Sequence, residues 1–207
     1  MSDKCTIFVG GDAVSPDTLD TEFLADSVVY GADKGFYLAD SLGIKCDVVL
    51  GDFDSSKKPK RDDVLLFPVE KDDTDLMLAI RHAFDNGLKD FQVYGAMGGS
   101  ADHLIGNIQS LGFITSRGGS AVIIGDKDRI TLLTAGKYSF KKREGYQLSL
   151  FAYSERVTGL SLSGVKYHAR NITLENTFPL GMSNHIEADN AEVSFSSGIL
   201  LVIESKR

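Results

Sequence analysis

Two carboxylates follow an apolar run of four residues in the N-terminal half of the chain. The run, 48–51, ends in glycine and leads into Asp52-Phe53-Asp54-Ser55. A strand directs alternate side chains to one face. If extended geometry continues past the glycine, Asp52 and Asp54 point the same way and Phe53 points into the protein. Such a pair favours a hard divalent cation such as Mg²⁺, which takes oxygen ligands and often joins carboxylates to substrate phosphates. Turn chemistry is the alternative, because Asp and Ser are common where a strand breaks into a loop.

A second acidic segment, Lys71-Asp72-Asp73-Thr74-Asp75, opens the most regular predicted helix, 73–86. Asp73 or Thr74 can cap that helix, and acids in its first turn interact favourably with the helix dipole. A functional interpretation stands beside this structural one. Lys71 could pair with phosphate oxygens, while Asp75 or Asp72 completes a metal shell with the two earlier carboxylates.

A glycine-containing loop, Gly98-Gly99-Ser100-Ala101-Asp102-His103, lies between a predicted strand and a predicted helix of about 101–113. One interpretation is a flexible loop in which Ser100 or Asp102 caps the helix. The other is a phosphate site, because small residues let main-chain amides approach an anion at a helix N-terminus. Neither a Walker sequence nor a Gly-x-Gly-x-x-Gly fingerprint is present, which disfavours the conventional P-loop and dinucleotide interpretations.

Other familiar sites lack support in the sequence. The chain has no His-Glu-x-x-His pair and no Gly-x-Ser-x-Gly elbow. We interpret His82 as a surface or hydrogen-bonded helix residue. Cys5 and Cys46 lie in apolar segments and are predicted to be core thiols rather than disulfide partners or zinc ligands.

The elements that must position these residues differ between the two parts of the chain. Up to residue 125, strands alternate with helices, which predicts a mainly parallel sheet with helices on both faces. Ligands collect at the carboxyl ends of such strands, where the acidic junctions fall. Beyond residue 126, short alternating segments separated by Gly, Ser and Asn predict an all-β sandwich. The predicted fold class is therefore α/β, with an α/β domain over 1–125 followed by a β-sandwich over 126–207.

Composition excludes several classes of partner. The 207 residues are 43% hydrophobic and carry a formal net charge of -7, so the chain has no global positive field for nucleic acid or an anionic membrane. No apolar stretch approaches the ~20 residues of a membrane-spanning helix. We expect a cytoplasmic protein with no nucleic-acid or membrane partner.

The motifs in this order and spacing resemble those of the thiamin pyrophosphokinase family. The resemblance extends from about residue 6 to the end of the chain. The segments that carry it are Gly31-Ala32-Asp33 with Gly35, 42–55, Lys71 to Asp75, Gly98-Gly99 with Asp102-His103, and Gly181-Met182-Ser183-Asn184.

The resemblance implies an ATP-binding N-terminal domain, a thiamin-binding C-terminal sandwich and a homodimer with active sites at the subunit interface. It also implies the Mg²⁺-dependent reaction of ATP with thiamin to give AMP and thiamin diphosphate. The implied site residues fall into three groups. Catalytic and Mg²⁺-binding carboxylates are Asp52, Asp54 and Asp75; residues near ATP or its phosphates are Asp33, Lys71, Asp72, Thr74 and Asp102; residues that contact thiamin are Ser183 and Asn184.

Three positions depart from the family pattern. Lys34 stands where a second glycine is usual, Ser100 where an arginine is usual, and His185 where an acid often follows Ser-Asn. The missing arginine removes a phosphate contact, although the charge of Lys34 could replace it. Two other functions therefore remain open: a different metal-dependent transferase or nucleotide hydrolase, and a nucleotide or thiamin sensor without catalysis.

Overall fold

The computed structural model describes residues 2–53, 56–68 and 73–207. The chain divides into two compact units, Met1–Asp126 and Lys127–Arg207. None of the described helices is long and apolar enough to cross a membrane.

The N-terminal unit contains a parallel sheet. Its strands among the described residues are β1 (Lys4–Phe8), β2 (Val28–Ala32), β3 (Val48–Gly51), β4 (Val64–Leu66), β5 (Asp90–Tyr94) and β6 (Ser120–Ile124). The spatial order is β6-β5-β1-β2-β3-β4, and every adjacent pair is parallel. Because β5, β1, β2 and β3 are adjacent and parallel, the chain segments that follow these strands emerge side by side at one edge of the sheet.

Helices connect these strands and cover the apolar side chains of the sheet. They are α1 (Thr21–Ala25), α2 (Gly35–Ser41), α3 (Asp75–Asp85) and α4 (Ala101–Ser116), with a 3₁₀ turn at Pro16–Thr18. The strand residues Phe8, Val49 and Tyr94 share a buried cluster with Ala39 of α2. Phe84 of α3 instead packs on Phe91 of β5, with 5.3 Å between ring centroids. Because side chains alternate along a strand, Phe91 points to the opposite face of the sheet from Tyr94.

The sequence of α3 explains its position and its length. Leu76, Ala79, Ile80 and Ala83 recur at helical spacing and are all buried. The Thr74 hydroxyl accepts a hydrogen bond from the Met77 N–H at 3.2 Å, which satisfies a main-chain donor that has no partner within the helix. The predicted helix was therefore correct in type, but its first residue is Asp75 rather than Asp73.

The C-terminal unit is built from strands in its described residues. They are β7 (Asp128–Lys141), β8 (Tyr146–Ala152), β9 (Arg156–Ser163), β10 (Ala169–Glu175), β11 (Gly181–Asn184) and β12 (Asn190–Lys206). All their pairings are antiparallel.

The long strand β12 organises this unit. One edge pairs with β7 along nearly its whole length, while the other pairs first with β9 and then with β8. A register shift between Phe195 and Ile199 marks the change of partner. Leu150, Leu160, Val193 and other buried residues of β8, β9, β10 and β12 form one core cluster. The prediction of only short strands here was wrong, because β7 and β12 each continue across a segment of small and polar residues that interrupts their apolar pattern.

Candidate active site

Asp33 and Asp52 follow two adjacent strands, β2 and β3. The Asp33 N–H donates to the Leu50 carbonyl at 2.8 Å. A Cβ atom on Gly51 would lie 3.1 Å from the Cα and N atoms of Asp33, so the glycine permits this close approach of two chain segments. The Ser56 hydroxyl donates to Asp33 Oδ1 at 3.0 Å. Asp33 and Asp52 are both half-buried at the carboxyl edge of the sheet, which is the edge that the sequence predicts for the site.

The path of the chain after Asp52 differs from the expectation of continued extended geometry. Phe53 has a φ of 54°, in the left-handed region, and its side chain is only 8% exposed. Burial of this large ring in the cluster with Val49 and Ala39 stabilises the conformation of Phe53. Phe53 therefore points inward as predicted, but the chain does not continue as a strand. Asp54 lies outside the described residues.

Carboxylate oxygens at this edge suit a hard cation. The described residues alone contain no group of three or more His, Cys, Asp or Glu side chains that could hold a metal ion. Of the three predicted ligands, Asp52, Asp54 and Asp75, Asp54 lies outside the described residues. Asp33 and Asp52 nevertheless supply oxygen donors from neighbouring strand ends, which is the ligand chemistry that Mg²⁺ prefers.

The remaining N-terminal candidates lie near the start of α3 or outside the described residues. Asp75 is the first residue of α3, which packs against β3, β2 and β1. Thr74 acts as the helix cap, as one of the two structural interpretations predicts. Asp73 forms an ion pair with Arg81 at 2.9 Å. Lys71 and Asp72 lie outside the described residues.

Three consecutive carbonyl groups of the loop between β5 and α4 accept hydrogen bonds from neighbouring segments. The N–H groups of Gly11 and Asp12 donate to the carbonyls of Gly95 and Met97 at 2.7 and 2.8 Å. The Asn107 side chain donates to the intervening carbonyl, that of Ala96, at 2.9 Å. By contrast, the N–H groups of residues 96–100 have no hydrogen-bond acceptor among the described residues. The loop therefore presents main-chain donors that can bind an anion.

Helix α4 begins directly after these donors. Ser100 occupies the N-cap position without a side-chain hydrogen bond to the helix. Asp102 accepts a hydrogen bond from the His103 N–H at 3.0 Å. Hydrogen bonds from the Ser100 hydroxyl and from that N–H lower the pKa of the Asp102 carboxyl. Asp102 therefore carries a negative charge beside the loop at neutral pH.

Lys34 lies across the neighbouring loop after β1. Its stem occupies the space where a Cβ atom on Gly10 would lie, and its side chain is exposed. The lysine thus adds a positive charge near the loop that contains Gly11 and Asp12. This proximity is compatible with the predicted replacement of the missing arginine by Lys34.

The C-terminal unit contains a mostly apolar cavity of about 330 Å³. Its lining includes Leu150, Leu160, Tyr167, Leu180 and Met182. Such a volume and lining are typical of a small-molecule site. A second cavity of about 510 Å³ is lined more by polar side chains, among them three serines.

Asn184 lines the apolar cavity and is almost completely buried. Its Oδ1 accepts hydrogen bonds from the N–H groups of Tyr167 and His185 at 3.0 and 2.9 Å. Its Nδ2 donates to the Tyr167 carbonyl at 2.9 Å. Asn184 therefore fixes the main chain of Tyr167 at the wall of the cavity.

Ser183 has a φ of 56°, and its N–H donates to the Ser149 hydroxyl at 3.0 Å. A non-glycine residue in this left-handed region is uncommon and directs the chain differently from a regular strand. Ser183 is thus held next to the cavity-lining residues Met182 and Asn184, although it is not itself in the lining.

The two units match two domains of the same known protein family. Residues 20–123 match the family model of the thiamin pyrophosphokinase catalytic domain, and residues 137–200 match that of the thiamin pyrophosphokinase vitamin B1 binding domain. Thiamine pyrophosphokinase of Bacillus subtilis (strain 168) is 34% identical over an alignment of 185 residues, and the match covers 84% of this chain and 86% of that protein. The chain belongs to the thiamin pyrophosphokinase family.

Solved structures show the same fold. The crystal structure of thiamine pyrophosphokinase from Bacillus subtilis has a TM-score of 0.88, with 28% identity and 99% of both chains covered. That of thiamin pyrophosphokinase from Geobacillus thermodenitrificans has a TM-score of 0.83, with 27% identity and coverage of 99% and 98%. The predicted family and the α/β fold class are therefore confirmed.

Several residues near the candidate sites of this chain were not predicted from its sequence as parts of a site. Tyr167, His168 and Arg170 line the apolar cavity, and Asn107 holds the β5–α4 loop. These residues belong to no short motif. Asn107 lies on the helix that follows the glycine loop, and this nearness along the chain was the one signal that could have drawn attention to it.

Proposed function

We propose that this protein transfers the pyrophosphoryl group of ATP to the hydroxyl of thiamin, giving AMP and thiamin diphosphate. The observation that carries the proposal is the match of both family domains, in order, across the two units. The N-terminal unit binds ATP and supplies the catalytic carboxylates. The C-terminal unit, with the layered strands of a β-sandwich, contributes the thiamin pocket.

The β5–α4 loop binds phosphate oxygens of ATP. Its N–H groups at residues 96–100 and the N-terminal end of α4 both attract negative charge. Lys34 and Lys71 add positive charge near the phosphates, and Asp33, Asp72, Thr74 and Asp102 lie near the nucleotide. The exposed position of Lys34 over Gly10 supports its part in this arrangement.

Asp52, Asp54 and Asp75 bind Mg²⁺. The oxygen-rich edge formed by Asp33 and Asp52 supports this assignment, because carboxylates on neighbouring strand ends repel one another less when a cation lies between them. A bound divalent cation would neutralise part of the charge that develops on the transferring group.

The reaction is an in-line displacement at the β-phosphorus. The thiamin hydroxyl oxygen forms a bond to that phosphorus, and the bond from phosphorus to the oxygen that bridges it to the α-phosphate breaks. AMP leaves with the electron pair, and one carboxylate among Asp52, Asp54 and Asp75 accepts the hydroxyl proton. Positioning of the two substrates and neutralisation of charge supply most of the rate enhancement in such a transfer.

Thiamin binds in the apolar cavity of the C-terminal unit, with Ser183 and Asn184 in contact with its pyrimidine. The chain has no tryptophan, so a tyrosine or phenylalanine supplies any aromatic wall. Tyr167 lines the cavity and is the aromatic residue best supported for that role.

Thiamin-dependent AMP release tests the function directly. The purified protein is incubated with ATP and Mg²⁺, with and without thiamin, and AMP is measured by chromatography. We expect AMP only when thiamin is present. AMP or ADP release that is independent of thiamin would instead indicate a nucleotide hydrolase. Tight thiamin binding by calorimetry, with no thiamin diphosphate detected by mass spectrometry, would indicate a sensor.

A further inference from the structure

Asn107 lies on the second turn of α4, outside every motif of the sequence, and is half-buried. Its side-chain amide donates to the Ala96 carbonyl at 2.9 Å. This bond joins the helix to the middle of the loop that precedes it. Asn107 is therefore a candidate for control of the loop's conformation.

Three consecutive carbonyls of the loop are held by donors from two sides. Main-chain N–H groups of residues 11 and 12 bind the first and the third, and Asn107 binds the second. In a trans peptide, the C=O of one residue and the N–H of the next point in opposite directions. The bond from Asn107 therefore turns the Met97 N–H away from α4, and the other two bonds turn the N–H groups of Ala96 and Gly98 away from residues 11 and 12. None of these three N–H groups has an acceptor in the described part of the chain.

We infer that Asn107 is a positioning residue for nucleotide binding: by holding the Ala96 carbonyl it directs the Met97 N–H toward a phosphate oxygen. The inference rests on the proposed function, because it takes the ligand of this loop to be the triphosphate of ATP. Of the three bonds that orient the loop, this is the one that a side-chain substitution can remove. The other two come from the main chain of the segment after β1.

Two substitutions distinguish the loss of this hydrogen bond from the replacement of its donor by a negatively charged acceptor. In Asn107→Ala the donor is absent, whereas in Asn107→Asp a carboxylate of similar shape faces the Ala96 carbonyl and repels it. Gln109→Ala removes an exposed amide two residues later on the same helix and is the matched control. The measurements are the ATP dissociation constant without thiamin, the KM for each substrate, kcat, and the midpoint of thermal unfolding.

We expect Asn107→Ala to raise the dissociation constant and KM for ATP by about tenfold, the effect of one hydrogen bond to a charged group. Asn107→Asp should raise both further. The KM for thiamin, kcat at saturating ATP and the properties of Gln109→Ala should stay within about twofold of the wild type.

Either of two results would overturn the inference. One is ATP binding by both Asn107 variants within about twofold of the wild type. The other is a parallel fall in ATP affinity, thiamin affinity and thermal midpoint, which would assign Asn107 a purely structural role. Failure of the proposed function would appear differently, as a wild-type protein that binds ATP but forms no thiamin diphosphate.

Discussion

Asp33 and Asp52 come together although α2 lies between them in the sequence. Their proximity follows from the pairing of β2 with β3 and from Gly51, which lets the main chain of Asp33 approach. The side chains themselves were predictable, since acids at strand ends are visible in the sequence. The left-handed conformation of Phe53 was not, because it depends on where the ring is buried rather than on local residue preference.

Substitution of the proposed metal ligands tests their part in catalysis. We expect Asp52→Asn and Asp54→Asn each to lower kcat by at least ~10²-fold at saturating Mg²⁺, as expected for loss of one electrostatic stabiliser of the transition state. Asp62→Asn, a change at an exposed carboxylate, should leave kcat unchanged. Steady-state assays of thiamin diphosphate formation measure all three. Near-normal turnover by Asp54→Asn would exclude it as a ligand.

The buried thiol of Cys46 gives the stability a pH dependence above neutrality. Burial raises the pKa of Cys46 to about 11, whereas a cysteine in an unfolded chain titrates near ~8.5. Because ionisation then favours the unfolded state, the stabilising contribution is complete below about pH 8.5 and is lost as pH rises toward 11.

Urea unfolding at pH 8 and pH 10.5 measures this effect. We expect the wild type to lose up to about 2 kcal/mol more unfolding free energy over this interval than Cys46→Ala does. Comparing each protein with itself at pH 8 removes the cost of the cavity left by the substitution. Equal losses in the two proteins would show that the thiol does not resist ionisation in the folded state.

At the scale of elements, glycine determines how closely α2 approaches β1. A Cβ atom on Gly35 would overlap the main chain of Phe8 and Val9. Gly106, within α4, has no atom within 4 Å of the corresponding position. The same substitution should therefore have opposite effects at these two helical glycines.

We expect Gly35→Ala to destabilise the protein by more than ~1 kcal/mol, because the helix must move away from the strand. Gly106→Ala should stabilise it by about 0.5–1 kcal/mol through reduced freedom of the unfolded chain. Denaturant unfolding monitored by circular dichroism measures both changes. A stabilising Gly35→Ala would contradict the close packing of α2 on β1.

The helices and strands were predicted more accurately in the N-terminal unit than in the C-terminal unit. The apolar spacing in α3 and the glycines at or near the ends of β2, β3 and β5 were sufficient to predict the strand–helix alternation of the N-terminal unit. In the C-terminal unit the same local rules divided β7 and β12 into shorter strands. Their continuity depends on pairing with distant strands, such as Ser194 of β12 with Lys137 on one side and Ser161 on the other. Such pairing is invisible to a local pattern.

At the scale of the whole molecule, the proposed function requires the two family domains to act on one pair of substrates. The family resemblance implies a homodimer with active sites at the subunit interface, and this expectation gives a specific prediction for mixtures of variants. We expect Asp54→Asn to disable the N-terminal unit. Leu180→Arg places a charge at the wall of the apolar cavity, where Leu180 is 56% exposed.

If each active site combines units from two protomers, a heterodimer of these variants has one intact site and one doubly defective site. Dissociation and reassociation of an equal mixture should then restore about a quarter of the wild-type activity, since half the dimers are mixed and half their sites are intact. A mixture of Asp52→Asn with Asp54→Asn is the control and should recover none. Absence of recovery in the first mixture, with mixed dimers confirmed by native mass spectrometry, would contradict shared sites.

The most direct test of the proposed function follows the β-phosphate of ATP. The protein is incubated with thiamin, Mg²⁺ and ATP labelled at the β-phosphorus, and the products are separated and quantified. We predict unlabelled AMP and labelled thiamin diphosphate in equal amounts, because the two terminal phosphates move as one group. Labelled ADP with thiamin monophosphate, or labelled inorganic products without thiamin diphosphate, would contradict pyrophosphoryl transfer.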